Sequence, residues 1–239
     1  MGKRLIQQAR GKGSSTYRAP SFRYKGSASH KSYTDPEKEV KGVIIDFVKC
    51  SGHTTPLACI EYEDGELNLM LAGEKMKVGD SVTYGNGAEP VQGNTLTLGS
   101  MPEGTLVYNL ESQPGDGGKF VRSSGTFAKI LTHADNNVVV MLPSKKQKKF
   151  NALCRASIGV LAAGGRTDKP ILKAGKKFHM MKARNKLYPI VSGSAQNAVD
   201  HPFGNKRTSR KSKARPISKH APPGRKVGMV GARRTGRKK

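Results

Sequence analysis

The sequence predicts a mainly β protein: two small barrels in tandem, carried between long, basic, irregular extensions. Three observations carry that expectation. Short β-branched runs separated by turn residues fill the middle of the chain. No long amphipathic helical pattern interrupts them. The charge is divided along the chain, with +8 on residues 1–34, −8 on residues 35–111 and +26 on residues 112–239, for a net charge of +26.

The N-terminal arm, residues 1–36, is rich in Gly and Ser and too poor in apolar residues to fold alone. It spaces Tyr17, Phe22, Tyr24 and Tyr33 among Arg18, Arg23, Lys25 and Lys31. Rings stack on splayed bases while cations meet phosphates, so such a segment suits an RNA surface, with Arg18 and Arg23 as candidate contacts.

Residues 37–108 read as the first barrel. A β-branched, apolar run at 43–48 comes first. Runs at 57–62 and 67–71 then flank a turn at 63–66, which is a hairpin signature. Runs at 81–84 and 95–98 follow turns at 78–80 and 93–94. Five short strands in this span suggest a closed or nearly closed antiparallel barrel, such as an OB-fold.

Residues 109–170 read as a second barrel. Its strands are expected near 107–110, 120–122, 126–131 and 138–142, with a glycine-rich loop at 114–118 and a polar turn at 135–137. Lys145, Lys146, Lys148 and Lys149 come next, so the basic residues should gather on loops and one edge. Residues 171–239 form the C-terminal extension. Its last 39 residues hold fourteen Lys or Arg and no acid, too little apolar surface to offset the entropy of ordering.

So positive a chain repels itself and calls for a polyanion. A membrane is not expected, because no apolar run approaches the roughly 20 residues of a spanning helix. Residues 1–10 also lack the apolar stretch of a secretory signal, which places the chain in the cytoplasm, where it is made. Cys50, Cys59 and Cys154 are odd in number and lack a C-x-x-C pairing, so reduced thiols acting as small hydrophobes are predicted. Cys50, His53 and Cys59 lack a fourth ligand and a regular zinc spacing. No metal site is expected.

The loop at 114–118 lacks the residue order of a P-loop. Either a close backbone approach to an RNA phosphate or an ordinary hairpin loop accounts for it. Arg122, Arg155 and Arg166 lie beside small residues that let RNA come close, and a guanidinium fits phosphate bidentately. The bland alternative is a surface arginine with no strong contact. The extension adds Lys176, Lys177, Arg184, Asn197, His201, Arg225 and Lys226 as candidate RNA-binding residues. His201 follows Asp200, which invites a proton-transfer role. Adjacent residues seldom face each other, however, and no nucleophile can be assigned nearby, so no catalytic residue is expected.

A resemblance rests on these same stretches. Residues 197–204, Asn-Ala-Val-Asp-His-Pro-Phe-Gly, resemble the signature of the universal "L-two" family of large-subunit ribosomal proteins. Residues 114–118, 122–126, 154–156, 173–175 and 221–228 agree with the same family in order along nearly the whole chain, and the short arm and the ending resemble its archaeal branch. The resemblance implies an OB-fold followed by an SH3-like barrel, with extensions that penetrate large-subunit rRNA. It also implies neighbouring ribosomal proteins as partners, small-subunit rRNA at the subunit interface, and roles in subunit association, tRNA placement and the peptidyl-transferase centre. His201 matches the segment nearest that centre, where the catalyst is RNA, so it is expected to position rather than to react. No cofactor is implied beyond Mg²⁺ that accompanies rRNA. The chain departs from the family where Gly204 is followed by Asn205, Lys206 and Arg207 instead of glycines, and at Gln196 and Ser192, where Met and Arg are common.

Two other functions compete with a structural rRNA-binding protein: a nucleic-acid-processing enzyme using His201 and Asp200, and a basic packaging protein. The packaging reading fits the tails but leaves two ordered barrels without a purpose.

Overall fold

The computed structural model describes residues 6–32, 38–205 and 215–234. The chain forms two compact units, one spanning Ser21–Leu172 and the other joining residues 1–20 with residues 173–239.

The Ser21–Leu172 unit holds ten strands: β1 Val40–Val48, β2 Leu57–Tyr62, β3 Leu67–Leu71, β4 Ser81–Tyr84, β5 Thr95–Thr97, β6 Leu106–Tyr108, β7 Ala128–Ala134, β8 Asn137–Met141, β9 Gln147–Asn151 and β10 Arg155–Ile158. They form one sheet in the order β3-β2-β1-β4-β5-β10-β6-β7-β8-β9. All neighbours are antiparallel except β4 and β5, which touch in parallel at Tyr84 and Thr95. Bulges at Ile44/Asp46 in β1 and Ile130/Thr132 in β7 bend the sheet. The bent sheet encloses two main cores. Ile44, Ile60, Met70, Val82 and Tyr84 fill the first, and Leu98, Val107, Ile130, Val140 and Phe150 fill the second. This mainly β architecture accords with an OB-type barrel followed by an SH3-like one. β5 and β10 are buried along their whole length and pair from Arg155↔Thr97 to Ser157↔Thr95.

Alternation explains most of the strands. β8, Asn-Val-Val-Val-Met, buries Val138 and Val140, while Asn137, Val139 and Met141 on the opposite side are exposed or half-buried. The hairpin between β2 and β3 closes as expected, with Gly65 at φ +79 and its N–H donating to the Tyr62 carbonyl. The strand expected at 120–122 reduces to one bridge, Leu110↔Phe120, beside which Asn109 and Val121 both leave the extended region at φ +51 and +53. β9, Gln-Lys-Lys-Phe-Asn, and β10, Arg-Ala-Ser-Ile, arise where the sequence shows no run of β-branched or apolar residues.

In the other unit, α1 spans Ile6–Arg10 and α2 spans Ala174–Lys182. A parallel bridge joins Ile217 to Val230. Of its described residues only Gly204 is buried, in keeping with the low apolar content read from the sequence.

Candidate nucleic-acid interface

The glycine-rich loop is built around two carboxylates. Glu111, fully buried, accepts the N–H groups of Gly115 (3.2 Å) and Gly117 (3.1 Å). Asp116 accepts those of Ser112 and Gly118, both at 3.0 Å. Gly115, Gly117 and Gly118 have φ of +82, +78 and +95, a region glycine enters freely. These amides therefore face protein carboxylates rather than an incoming phosphate.

Arg155 completes the site. Its Nε and Nη2 donate to Glu111 Oε1 at 3.1 and 2.6 Å, its backbone N–H to Oε2 at 2.9 Å, and Nη1 to the Lys31 carbonyl at 2.7 Å. Burial alone would raise the Glu111 carboxyl, but the Arg155 hydrogen bonds outweigh it and hold the group below the usual range. Arg155 is only 7% exposed, so the structure spends it on the interior. Its neighbours Ala156 and Ser157 are themselves buried in the enclosed strand β10.

The basic arm takes part in this core. His30 and Lys31 are each 3% exposed. His30 Nε2 donates to the Asn109 carbonyl at 2.6 Å, and Nδ1 accepts from the Tyr84 hydroxyl at 3.1 Å. Lys31 Nζ meets Asp64 and Glu66 at 2.5 and 2.6 Å and lies 4.5 Å from the Tyr62 ring centre. Arg122, half-buried, donates Nη2 to the Ala28 carbonyl at 2.6 Å and Nη1 to that of Gly118. Residues 28–31 are thereby fastened to the sheet, and Tyr33 lies outside the described residues.

The cations left on the surface of this unit are elsewhere. Arg166 is exposed and donates Nε to Ser124 Oγ at 2.9 Å, while the Ser124 N–H donates to Thr54 Oγ1 at 3.0 Å. Beneath that pair, Gly125 (φ +71) and Gly164 approach so closely that a Cβ on Gly125 would collide with the Gly164 Cα. Arg23 is exposed and lies 5.4 Å from the centre of the exposed Phe22 ring. The edge strand β9 and the turn before it present Lys145, Lys146 and Lys149, with Lys148 Nζ 4.1 Å from the Phe120 ring centre. Edge position and cation density could have marked these lysines as site residues from sequence.

In the second unit, Arg18, Lys176, Asn197, Arg225 and Lys226 are exposed, and Lys177 and Arg184 are half-exposed. Lys177 Nζ lies 5.3 Å from the Tyr188 ring centre. The His201 segment is a tight turn: the N–H groups of Asp200 and His201 donate to the Asn197 carbonyl at 3.0 and 3.1 Å, and that of Gly204 to the His201 carbonyl at 2.9 Å. A Cβ on Gly204 would strike the Asn197 carbonyl, so glycine is required there. His201 Nδ1 accepts the Phe203 N–H at 3.0 Å, and the two rings pack edge to face at 5.0 Å. A neutral imidazole that accepts at Nδ1 carries its proton on Nε2. His201 therefore offers a donor at Nε2, while its Nδ1 lone pair is already engaged. Lys206 and Arg207, where the family pattern breaks, lie outside the described residues. Cys50, Cys59 and Cys154 are free thiols, and among the described residues no group of three or more His, Cys, Asp or Glu could hold a metal ion. No helix among them is long and apolar enough to cross a membrane.

The stretch of sequence that carries the carboxylate-centred loop and the His201 turn matches a known family. Residues 91–221 match the family model for Ribosomal Proteins L2, C-terminal domain. The chain is 50% identical over 237 residues to the large ribosomal subunit protein uL2 of Haloarcula marismortui, covering 99% of this chain and 98% of that one. It is also 50% identical over 242 residues to the uL2 of Methanocaldococcus jannaschii, with both chains fully covered. The chain belongs to the ribosomal L2 family. These relatives are archaeal. The L2 match includes β5 to β10, the glycine loop and the His201 turn.

Proposed function

We propose that the chain is a structural constituent of the large ribosomal subunit that binds its rRNA in the cytoplasm and is not itself an enzyme. One observation carries this. The described residues of the second unit hold fifteen Lys or Arg and a single acid, Asp200, and bury only Gly204. A unit without a core of its own, covered in cations, is completed by a folded polyanion. Arg18, Lys176, Lys177, Arg184, Asn197, Arg225 and Lys226 serve there as RNA contacts, with Arg23, Arg166 and, in part, Arg122 on the barrels. The division into arm, two barrels and C-terminal extension at residues 36, 108 and 170 belongs to this reading, as do roles in subunit association, tRNA placement and order near the peptidyl-transferase centre.

His201 acts in this scheme as a donor that positions RNA. Its Nε2–H faces away from the Phe203 N–H that occupies Nδ1. A processing enzyme would need a free basic nitrogen at that position.

The test is sedimentation of native extract. Nearly all of the chain should travel in the large-subunit peak and be released by salt. Six phosphate contacts would give a log–log salt slope of about −4 to −5. A chain found mainly free, or spread over bulk nucleic acid, would overturn the proposal.

A further inference from the structure

The first barrel carries an outer face unlike the rest of the chain. Register places Ser81 of β4, Val43 of β1, Glu61 of β2 and Leu67 of β3 in one row. Side chains opposite one another in such a row lie about 5 Å apart at Cβ. Val43 and Glu61 are exposed, and Leu67 is 62% exposed. Ile45, two residues on from Val43, is exposed on the same side. The turn that hydrogen-bonds to both backbone groups of Ile44, through Gly79 at 2.8 Å and Asp80 at 3.0 Å, carries Val78 at 58% exposure. Glu63, whose N–H donates to the Lys41 carbonyl at 3.1 Å, adds a second exposed acid, while Lys41 in these rows and Lys77 beside Val78 are cations.

Single exposed aliphatics are ordinary. Four of them on one face, set among carboxylates, mark a contact surface. RNA is a poor occupant, because the face lies in the segment of the chain that carries −8, and phosphate would meet Glu61 and Glu63. A ribonucleoprotein offers one other abundant chemistry, polypeptide rich in Lys and Arg. Such side chains have aliphatic stems for Val43, Ile45, Leu67 and Val78 and charged ends for the acids.

We propose that this face docks a Lys/Arg-rich segment of another protein in the same particle. The inference rests on the ribosomal reading, so the assay starts from large subunits purified by sedimentation. Absence of the unaltered chain from that peak would sink the ribosomal reading itself. Particles are then prepared with Leu67→p-benzoylphenylalanine, or Val43→p-benzoylphenylalanine should the first fail to assemble. Particles with Arg225→p-benzoylphenylalanine provide the RNA control. Irradiation at 67 or 43 should give an adduct that protease destroys and ribonuclease leaves intact, joined to a peptide rich in Lys and Arg. Glu61→Lys in the same chain should cut the adduct yield at least tenfold while leaving the RNA adduct at 225 unchanged. An adduct to RNA, an adduct to a neutral or acidic peptide, or no adduct while 225 crosslinks would each overturn the proposal.

Discussion

Arg155→Ala separates a structural cation from an RNA contact. The truncation removes two charged hydrogen bonds to Glu111, at 2.6 and 3.1 Å, and one to the Lys31 carbonyl at 2.7 Å. It leaves a fully buried carboxylate held only by the backbone N–H groups of Gly115, Gly117 and residue 155. Removing one partner of a buried ion pair costs about 3–5 kcal/mol, because the remaining charge has lost its counterion but not its desolvation penalty. Against a typical total stability of about 5–15 kcal/mol, the variant should still fold at 25 °C with a much lower urea midpoint.

The assay is urea unfolding of the free full-length chain, followed by far-ultraviolet circular dichroism, since the sequence has no Trp. Arg155→Lys should recover part of the loss, because one ammonium cannot reach both Glu111 and the Lys31 carbonyl with the planar fork of a guanidinium. A loss below about 1 kcal/mol in Arg155→Ala, together with weakened binding to an rRNA fragment, would refute the reasoning and return Arg155 to the surface role.

Acid should weaken the first barrel through His30, whose pKa is pushed down to about 4, chiefly by burial. The neutral ring is the form the fold holds, so its stabilisation is present above the unfolded value near 6.5 and is lost as pH falls from there toward 4. About 2 kcal/mol should disappear between pH 7 and pH 5, and His30→Asn should remove that part of the pH dependence in urea titrations. Gly125→Ala puts a Cβ into the Gly164 backbone at φ +71, so it should cost at least about 2 kcal/mol in the same assay, whereas Gly165→Ala, with open space around it, should cost far less. His201→Ala should slow peptide-bond formation on purified, fully assembled particles only slightly, and His201→Gln, which keeps a donor, less still. An equal loss of about a hundredfold or more in both would restore a general base.

What the sequence makes legible, and what it hides, follows from how far apart the interacting residues lie. Strands β1 to β4 announce themselves through local alternation and turns, and the second unit through its charge. β9 does not, because Gln-Lys-Lys-Phe-Asn turns only Phe150 into the core and the other four side chains outward. Arg155 misleads for a related reason. Its counterion lies 44 residues earlier and its carbonyl partner 124 residues earlier, so small neighbours alone suggest a surface. Lys31 sits in a segment that reads as an arm laid on RNA, yet it is buried because Asp64 and Glu66 at the β2–β3 turn neutralise it.

The acids of residues 35–111 thus fall into two groups that composition cannot separate. Glu111 turns inward and fastens Arg155, while Asp64 and Glu66, half exposed at the β2–β3 turn, meet the buried Lys31. Glu61 and Glu63 have no such assignment and remain on the outer face. If the acids served only to balance the arm, reversing Glu61 would change little beyond surface charge. If they also select a neighbour, reversing Glu61 should disturb that neighbour alone and leave the Lys31 and Arg155 sites intact.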